Sequence, residues 1–380
     1  MTPDYTVAVD GGNGMVNAYA LWPNGKIKST RLSAISARVT GDTLGLGGQE
    51  FKFDYYEFPN GKFVFGDAVA LVGDRVNSHQ SLYRYGDQAH RDLTAVALAK
   101  MGIKSGEIDL TVFCPPGIFK EERKRITNAF ANSSVRLRKN NERKWRQWEY
   151  KSVIVLPEGI TALGCFALDA QGYPVKNVEA LSGTTLVLDL GMLTADSFLC
   201  IDGRFSAENI HSATSTDGGI KRHVLEPILH DLRADSKEFR HSNWADVDIV
   251  LRRWLKRRST CFRTEREPDP CSACTTNCVI SGPRNNIQLG RGFERYIDQY
   301  AYWVESAIID SKYEAADKCS SIILIGGGGA LIKRHLKGTY GDLILDTGKI
   351  ASVKGVHPID MNAVGGLRMA MAAKHNQKHL

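Results

Sequence analysis

The sequence predicts an α/β protein made of two halves on one plan. Two observations lead there. Short β-branched apolar runs alternate with segments whose apolar residues recur at helical spacing. One unit, an apolar strand ending in aspartate, a glycine turn and a second strand, occurs at residues 7–19 and again at 186–201. Composition sets the scale: 380 residues, 43% apolar and 24% charged, is ordinary globular usage and room for two or three domains. No apolar run approaches the ~18 residues of a membrane helix. The start, Met1-Thr2-Pro3-Asp4-Tyr5, lacks a basic stretch followed by an apolar one, so a cytoplasmic protein with mostly reduced cysteines is expected. Forty-nine Lys and Arg against 42 Asp and Glu leave a formal charge of +7, which permits a polyanionic partner without requiring one.

The elements follow in order. Tyr5-Thr6-Val7-Ala8-Val9 reads as a strand, Asp10-Gly11-Gly12-Asn13-Gly14 as a turn, and Met15 to Ala20 as the returning strand of a hairpin. Lys62-Phe63-Val64-Phe65 alternates as a strand. Leu93, Val96, Ala97 and Met101 mark a helix over 88–101. Leu110 to Cys114 is a short buried strand stopped by Pro115-Pro116-Gly117, and a helix runs from Phe119 to Phe130. Residues 135–156 read as a hairpin and strand, closed by Pro157-Glu158-Gly159 and a small-residue helix. The polar stretch Gln171 to Ser182 separates the halves. Thr185 to Gly191 and Thr194 to Ile201 then repeat the opening unit. Helices are expected near 219–232, 246–258 and 292–311. Ser321-Ile322-Ile323-Leu324-Ile325 is an apolar strand entering Gly326-Gly327-Gly328-Gly329 and a helix, and a last helix lies near 360–374.

Glycine turns thus follow apolar strands at 10–14, 189–194 and 326–329. Backbone N–H groups of such turns can converge on phosphate oxygens, and glycine permits the close approach. The phosphate-loop pattern GxxxxGK[ST] is absent, since Gly348-Lys349 is followed by Ile350. GxGxxG fails at 326–331, where the sixth residue is Leu331. Asp10 and Asp189 end equivalent strands and would face one cleft. A magnesium ion on a triphosphate needs only one or two carboxylates, with Asp196 a third candidate. Each aspartate taken alone reads equally as a turn cap.

Taken together, the motifs resemble the actin-like ATPase superfamily, and within it the ParM/StbA-type plasmid-segregation actins. VAVDGGNGMVNAY resembles the first phosphate loop, DxGNGxxK, and LVLDLGMLTADSF the second, DxGxxTxD. IILIGGGGALI resembles the adenosine-side glycine motif, VIVLPEGITAL the connecting segment, FVFGDAVAL the short VGxxA segment and HPIDMNAVGGLRMA the final helix. The matches run in family order from residue 7 to 371. The resemblance implies an actin-like (ribonuclease H-like) two-domain fold with nucleotide in the interdomain cleft. Domain I would comprise 1–168 and 356–380; domain II would comprise 169–355, with a cysteine-containing insertion at about 259–290. It implies that Gly11, Gly12, Asn13 and Gly14 wrap the phosphates. Asp10 would hold Mg2+ through water, and Asp189 would share the metal or position the attacking water. Gly191 and Thr194 would complete the second loop. Glu158 would orient that water; as a residue alone it also reads as an acid at a helix start. Gly326, Gly327, Gly328 and Gly329 would approach the nucleoside, and Asp217-Gly218-Gly219 would face the nucleotide too. Asn17 stands where the family carries a basic residue, and Met192-Leu193 where smaller residues are common, so slow turnover is expected. The implied function is an ATP- or GTP-hydrolysing, self-assembling filament that segregates plasmid DNA through a DNA-binding adaptor protein, without direct sequence reading or membrane. The alternatives are a small-molecule kinase of the same superfamily or a non-polymerising nucleotide switch.

Two features stand apart. Cys261, Cys271, Cys274 and Cys278, spaced C-x9-C-x2-C-x3-C, fit a structural zinc site or a small iron–sulfur cluster; four reduced loop cysteines are the other reading. Cys114, Cys165, Cys200 and Cys319 lie in apolar segments and read as core. Residues 136–151 interleave basic side chains with Trp145 and Trp148, which suits either a nucleic-acid surface or a solvated hairpin. Arg252, Arg253, Lys256, Arg257 and Arg258 follow an apolar helix face, as a basic helix end or a contact to an acidic partner.

Overall fold

The computed structural model describes residues 4–39, 53–71, 76–81, 83–133, 135–140, 142–176, 178–205, 213–235, 237–261, 279–281, 286–288 and 292–377. Ten strands of the described residues form one sheet, whose centre carries the first half. There Tyr5–Asp10 pairs antiparallel with Met15–Leu21 and parallel with Ser105–Cys114, which in turn lies parallel to Arg146–Pro157. A second sheet holds Thr214–Ser215, Ala195–Ile201, Thr184–Leu190 and Ser321–Ile325 in that order. Thr184–Leu190 pairs antiparallel with Ala195–Ile201 and parallel with Ser321–Ile325. The repeated plan is therefore real. Each half has a hairpin whose first strand carries an aspartate at its end (Asp10) or one residue before it (Asp189), with a parallel strand on its other side.

Tyr5–Asp10, the second part of Ser105–Cys114, Thr184–Leu190 and Ser321–Ile325 are almost wholly buried because helices cover them. Val7, Val9, Leu110 and Val112 pack with Leu93, Ile126 and Phe130 from the helices Gln88–Lys100 and Pro116–Ala131. In the second half Leu186, Leu188 and Leu324 pack with Val224, Val250 and Leu251, and with Tyr300 and Ile332. A third cluster crosses between halves: Phe166, Val187, Phe198, Ile323 and Met361 share one core. The last helix, Met361–Gln377, returns to the first half, where Leu367 and Met371 pack on Ala8 and Phe113. Its small residues allow this. A Cβ on Gly365 would collide with the Thr161 carbonyl, and one on Gly366 with the Phe113 ring.

Some elements differ from expectation. The four glycines 326–329 form the first turn of the helix Gly326–Tyr340 rather than a loop before it. The predicted helix near 292–311 is Glu294–Val304 continued by a π-helical turn, Glu305–Asp310. The ten-stranded sheet extends through Arg136–Lys139 into Tyr56–Phe58, Gly61–Phe65, Ile35–Arg38 and Val76–Ser78, of which only the 61–65 strand was readable. Cys114, Cys165, Cys200 and Cys319 are buried free thiols, as expected. Cys271, Cys274 and Cys278 lie outside the described residues. Cys261 ends the helix Trp244–Cys261, and its side chain is also outside the description. Among the described residues no helix is long and apolar enough to cross a membrane.

Candidate functional site

Both hairpins deliver their aspartates to one cavity. It is lined from the first half by Asp10, Gly12, Asn13, Gly14, Asn17, Tyr85 and Glu158. From the second half come Asp189, Gly191, Met192, Thr194, Asp248, Arg252, Gly326 and Gly327, with Asn362 from the last helix. The register makes the two hairpins equivalent. Asp10 lies opposite Asn17, and Asp189 lies opposite Asp196. The turns also touch: a Cβ on Gly14 would meet Met192 Cε at 2.7 Å, so Met192 seats the first loop on the second.

The carboxylates are crowded and buried. Burial and the neighbouring Asp189 raise the Asp10 carboxyl to about 7, against a lowering by Arg84. Burial raises Asp189 to about 6 and, with Asp189 beside it, Asp196 to about 7. Glu158 is pushed well above the usual range by burial, then by Asp10, Asp196 and Asp189. Its Oε1 is buried without a hydrogen-bond partner. Such an arrangement is costly by itself and calls for cations or a ligand.

Glu158 is placed by its corner. Its N–H donates to the Cys114 carbonyl (2.9 Å), which ties it to the end of the neighbouring strand. Gly159 follows at φ +71°, and a Cβ there would lie 2.9 Å from Phe198. Only glycine fits both constraints. Gly326 is similar, with φ +76° and a Cβ position 2.7 Å from Asp189 Oδ1.

The sequence-predicted residues divide. Asp10, Gly12, Asn13, Gly14, Asn17, Glu158, Asp189, Gly191, Thr194, Gly326 and Gly327 line the cavity. Asp196 sits behind it, held by the hydroxyls of Thr194 (3.2 Å) and Thr214. Gly11 backs onto His90. Gly218 and Gly219 buttress the second loop, where the Gly219 N–H donates to the Leu193 carbonyl (3.1 Å). Gly328 and Gly329 pack on Leu190 and Leu324. Asp217 points outward and pairs with Arg222 (2.7 Å), with 74% of its side chain exposed.

Several residues escaped the sequence reading. Asn362 ties the site together: its Nδ2 donates to Asp189 Oδ2 (2.8 Å) and its Oδ1 accepts from the Gly159 N–H (2.8 Å). Its amide also lowers the Asp10 carboxyl, against the burial that raises it. Its motif is readable, but spacing gives no hint that this side chain bridges two groups 173 and 203 residues away. Arg84 is buried beneath the first loop, donating to the carbonyls of Gly12 (2.6 Å) and His79 (3.0 Å). The Tyr85 hydroxyl, on the same cavity, lowers the Glu158 carboxyl slightly against its burial. Both lie in an irregular polar segment with no periodicity to read.

The basic hairpin is largely neutralised. Arg138 pairs with Glu57 (2.8 Å), Lys139 with Asp54 (2.8 Å), Arg146 with Glu142 (2.5 Å) and Lys151 with Glu107 (3.1 Å). Arg136 and Arg138 pack on the Trp145 ring, and Trp148 is core. The side chains of Lys256, Arg257 and Arg258 lie outside the described residues. Among the described residues no group of three or more His, Cys, Asp or Glu forms a metal cluster.

Residues 8–160 match the family described as the actin-like proteins' N-terminal domain. The chain has an actin-like fold. Its resemblance to the ParM-type actin-like proteins, read first from motifs, is borne out. The archaeal actin homologue Ta0583 in complex with ADP superposes with a TM-score of 0.65 at 16% identity, covering 97% of this chain and 99% of that one. A ParM from a 15-stranded filament of Clostridium botulinum gives 0.66 at 14% identity, covering 96% and 98%. The actin-like protein Alp7A gives 0.64 at 12%, covering 98% and 97%. No curated protein matches the sequence significantly.

Proposed function

We propose that this actin-like chain is an ATPase, with GTP the other candidate substrate, that polymerises on binding nucleotide and segregates plasmid DNA. One observation carries the reading. The carboxylates and glycines of both hairpins converge on a single cavity that also contains the unpartnered Oε1 of Glu158. Charged together without a counter-ion, these acids repel one another. A polar ligand bearing its own cation relieves that cost, and the orphaned oxygen offers an acceptor to water.

The division of labour follows from placement. Backbone N–H groups of residues 11–14 and 192–194 would cradle the phosphate chain, while the Gly191 N–H closes the second turn on the Thr194 carbonyl (2.8 Å). Asp10 and Asp189 would hold Mg2+ through water, which would supply charge neutralisation at the phosphates. Glu158 accepts a hydrogen bond from the attacking water, with Tyr85 and the Cys114 carbonyl fixing its position. Asn362 keeps the two aspartates in register. Phosphoryl transfer needs positioning and charge neutralisation above all, so this set suffices for slow turnover.

The wider proposals follow the same reading. Domain I is residues 1–168 with 356–380 and domain II is 169–355. The 259–290 insertion carries a structural zinc or iron–sulfur site, read from cysteine spacing alone. The protein acts in the cytoplasm on itself and on an adaptor bound to DNA. The filament structure of a ParM and the ADP complex of an archaeal actin homologue supply the support for assembly and for nucleotide.

The deciding experiment is light scattering of purified protein on adding Mg-ATP or Mg-GTP, with the diphosphates as controls. A rise specific to a triphosphate, decaying as phosphate is released, is expected. Nucleotide binding without any rise over a wide protein concentration range would refute the filament and leave a nucleotide switch.

A further inference from the structure

A cavity that takes a triphosphate beside Asp10, Glu158 and Asp189 needs positive charge besides a metal ion. In the first hairpin the position for it is neutral. Asn17 uses its Nδ2 on the Ile359 carbonyl (3.1 Å). Arg84 is committed behind the loop to the carbonyls of Gly12 and His79. Among the described residues lining the cavity, Arg252 alone has a basic side chain.

Arg252 comes from the other half. It sits one turn after Asp248 on the helix Trp244–Cys261, and its Nε donates to Asp248 Oδ2 (3.0 Å). The guanidinium then reaches residues of the first half. Nη2 donates to Ser33 Oγ (2.8 Å) and lies 3.3 Å from Asp67 Oδ1. Nη1 faces Met15 Sδ at 3.2 Å. Met15 directly follows Gly14, and Met15 and Ser33 are register partners. A thioether is a weak acceptor, so Nη1 is an underused donor aimed at the first loop.

We propose that Arg252 is the phosphate-binding cation of this cleft, exchanging its contact with Met15 for a phosphate oxygen while Asp248 holds its Nε. The assignment rests on the nucleotide reading above. It moves the charge missing at Asn17 to the opposite half. Phosphate contact and the approach of the two halves then become one event, because the same guanidinium already reaches Ser33 and Asp67. A guanidinium suits the task, since its fork can hold Asp248 and a phosphate oxygen together.

The competing role is a plain tie between halves. Competition binding against a fluorescent nucleotide in Mg2+ separates the two, using ATP, GTP and the matching nucleosides. The proteins are wild type, Arg252→Gln, Arg252→Lys and Asp67→Asn, each checked by thermal melting. Loss of a charge-assisted hydrogen bond predicts triphosphate affinity roughly 10–100-fold weaker in Arg252→Gln. Nucleoside affinity stays within about twofold, Arg252→Lys falls between, and Asp67→Asn keeps its triphosphate affinity. Equal losses for triphosphate and nucleoside, or no loss at all, would overturn the assignment. So would Asp67→Asn matching Arg252→Gln. If Arg252→Gln does not fold, Arg252→Lys at wild-type triphosphate affinity overturns it. Wild-type protein that binds no nucleotide would instead bring down the underlying reading, an outcome visible before any variant is made.

Discussion

The two hairpins share register and diverge in chemistry. In the second, Asp196 opposite Asp189 is fully engaged by Thr194 and Thr214, and its loop is buttressed by Gly218 and Gly219. In the first, Asn17 opposite Asp10 is neutral and its Oδ1 is buried without a partner. Glu158 Oε1 beside it is equally unpartnered. The second hairpin is therefore a finished support, while the first is left incomplete on the side that faces the cavity. Duplicated scaffolds of this kind place the same backbone twice and let side chains assign the roles.

The largest expected effect tests the unfinished side. Glu158→Ala removes the acceptor proposed to position water, so the rate of phosphate release should fall by about 10²-fold or more. Triphosphate-dependent scattering should persist and lose its decay. Hydrolysis at the wild-type rate would place the water-positioning group elsewhere.

Asn362→Ala strikes the link between the hairpins. It strips a hydrogen bond from Asp189 and leaves the Gly159 N–H without its acceptor. Leaving buried groups unpaired costs about 1–3 kcal/mol, read as a lower midpoint in denaturant. An unchanged midpoint would show that the two strand ends hold register without it.

The extent to which this was legible in the sequence differs between the same regions. The hairpins could be read because each is local: a strand, an aspartate and glycines within about 15 residues, twice. The duplicated sheet followed from that. What could not be read is what reaches the site from afar. Asn362, Arg84, Tyr85 and Arg252 arrive from helices or irregular segments, and their roles depend on how the halves pack. The glycines at 326–329 were legible as glycines but not as a helix start. Their composition fits either structure, and Gly326 at φ +76° makes the turn by itself. The basic hairpin misleads in the other direction. Its charges are conspicuous in one dimension, while the acids that neutralise four of them come in part from Asp54, Glu57 and Glu107.

The crowded acids make a pH prediction. Asp10 and Asp196 are raised to about 7 and Asp189 to about 6, from an ordinary 3.8. Between those limits the folded, ligand-free protein holds protons that the unfolded chain has released. Its stability therefore falls as pH rises from about 4 toward 7, because the native state binds more protons there. Asp10→Asn should flatten this slope and raise the melting temperature at pH 8 in chelator. The gain is on the order of 1–3 kcal/mol for one relieved carboxylate. A variant less stable than wild type at pH 8 would mean that the charge is already compensated in the empty protein.

The smallest effect lies farthest from the cavity, at the edge where Arg138 meets Glu57 and the Trp145 ring. Both partners of the ion pair are partly exposed, so water screens it and side-chain entropy opposes it. Arg138→Ala should cost no more than about 1 kcal/mol, and less at high salt. Nucleotide affinity should not change, since the pair joins sheet strands remote from both hairpins. Polyanion binding offers the sharper reading. If this hairpin bound DNA directly, Arg138→Ala would weaken that binding while leaving scattering intact. With its charge already taken by Glu57, the expected result is no measurable difference in a salt-titrated DNA-binding assay. A clear loss would make this edge, rather than the cleft, the region whose chemistry the charge pairing conceals.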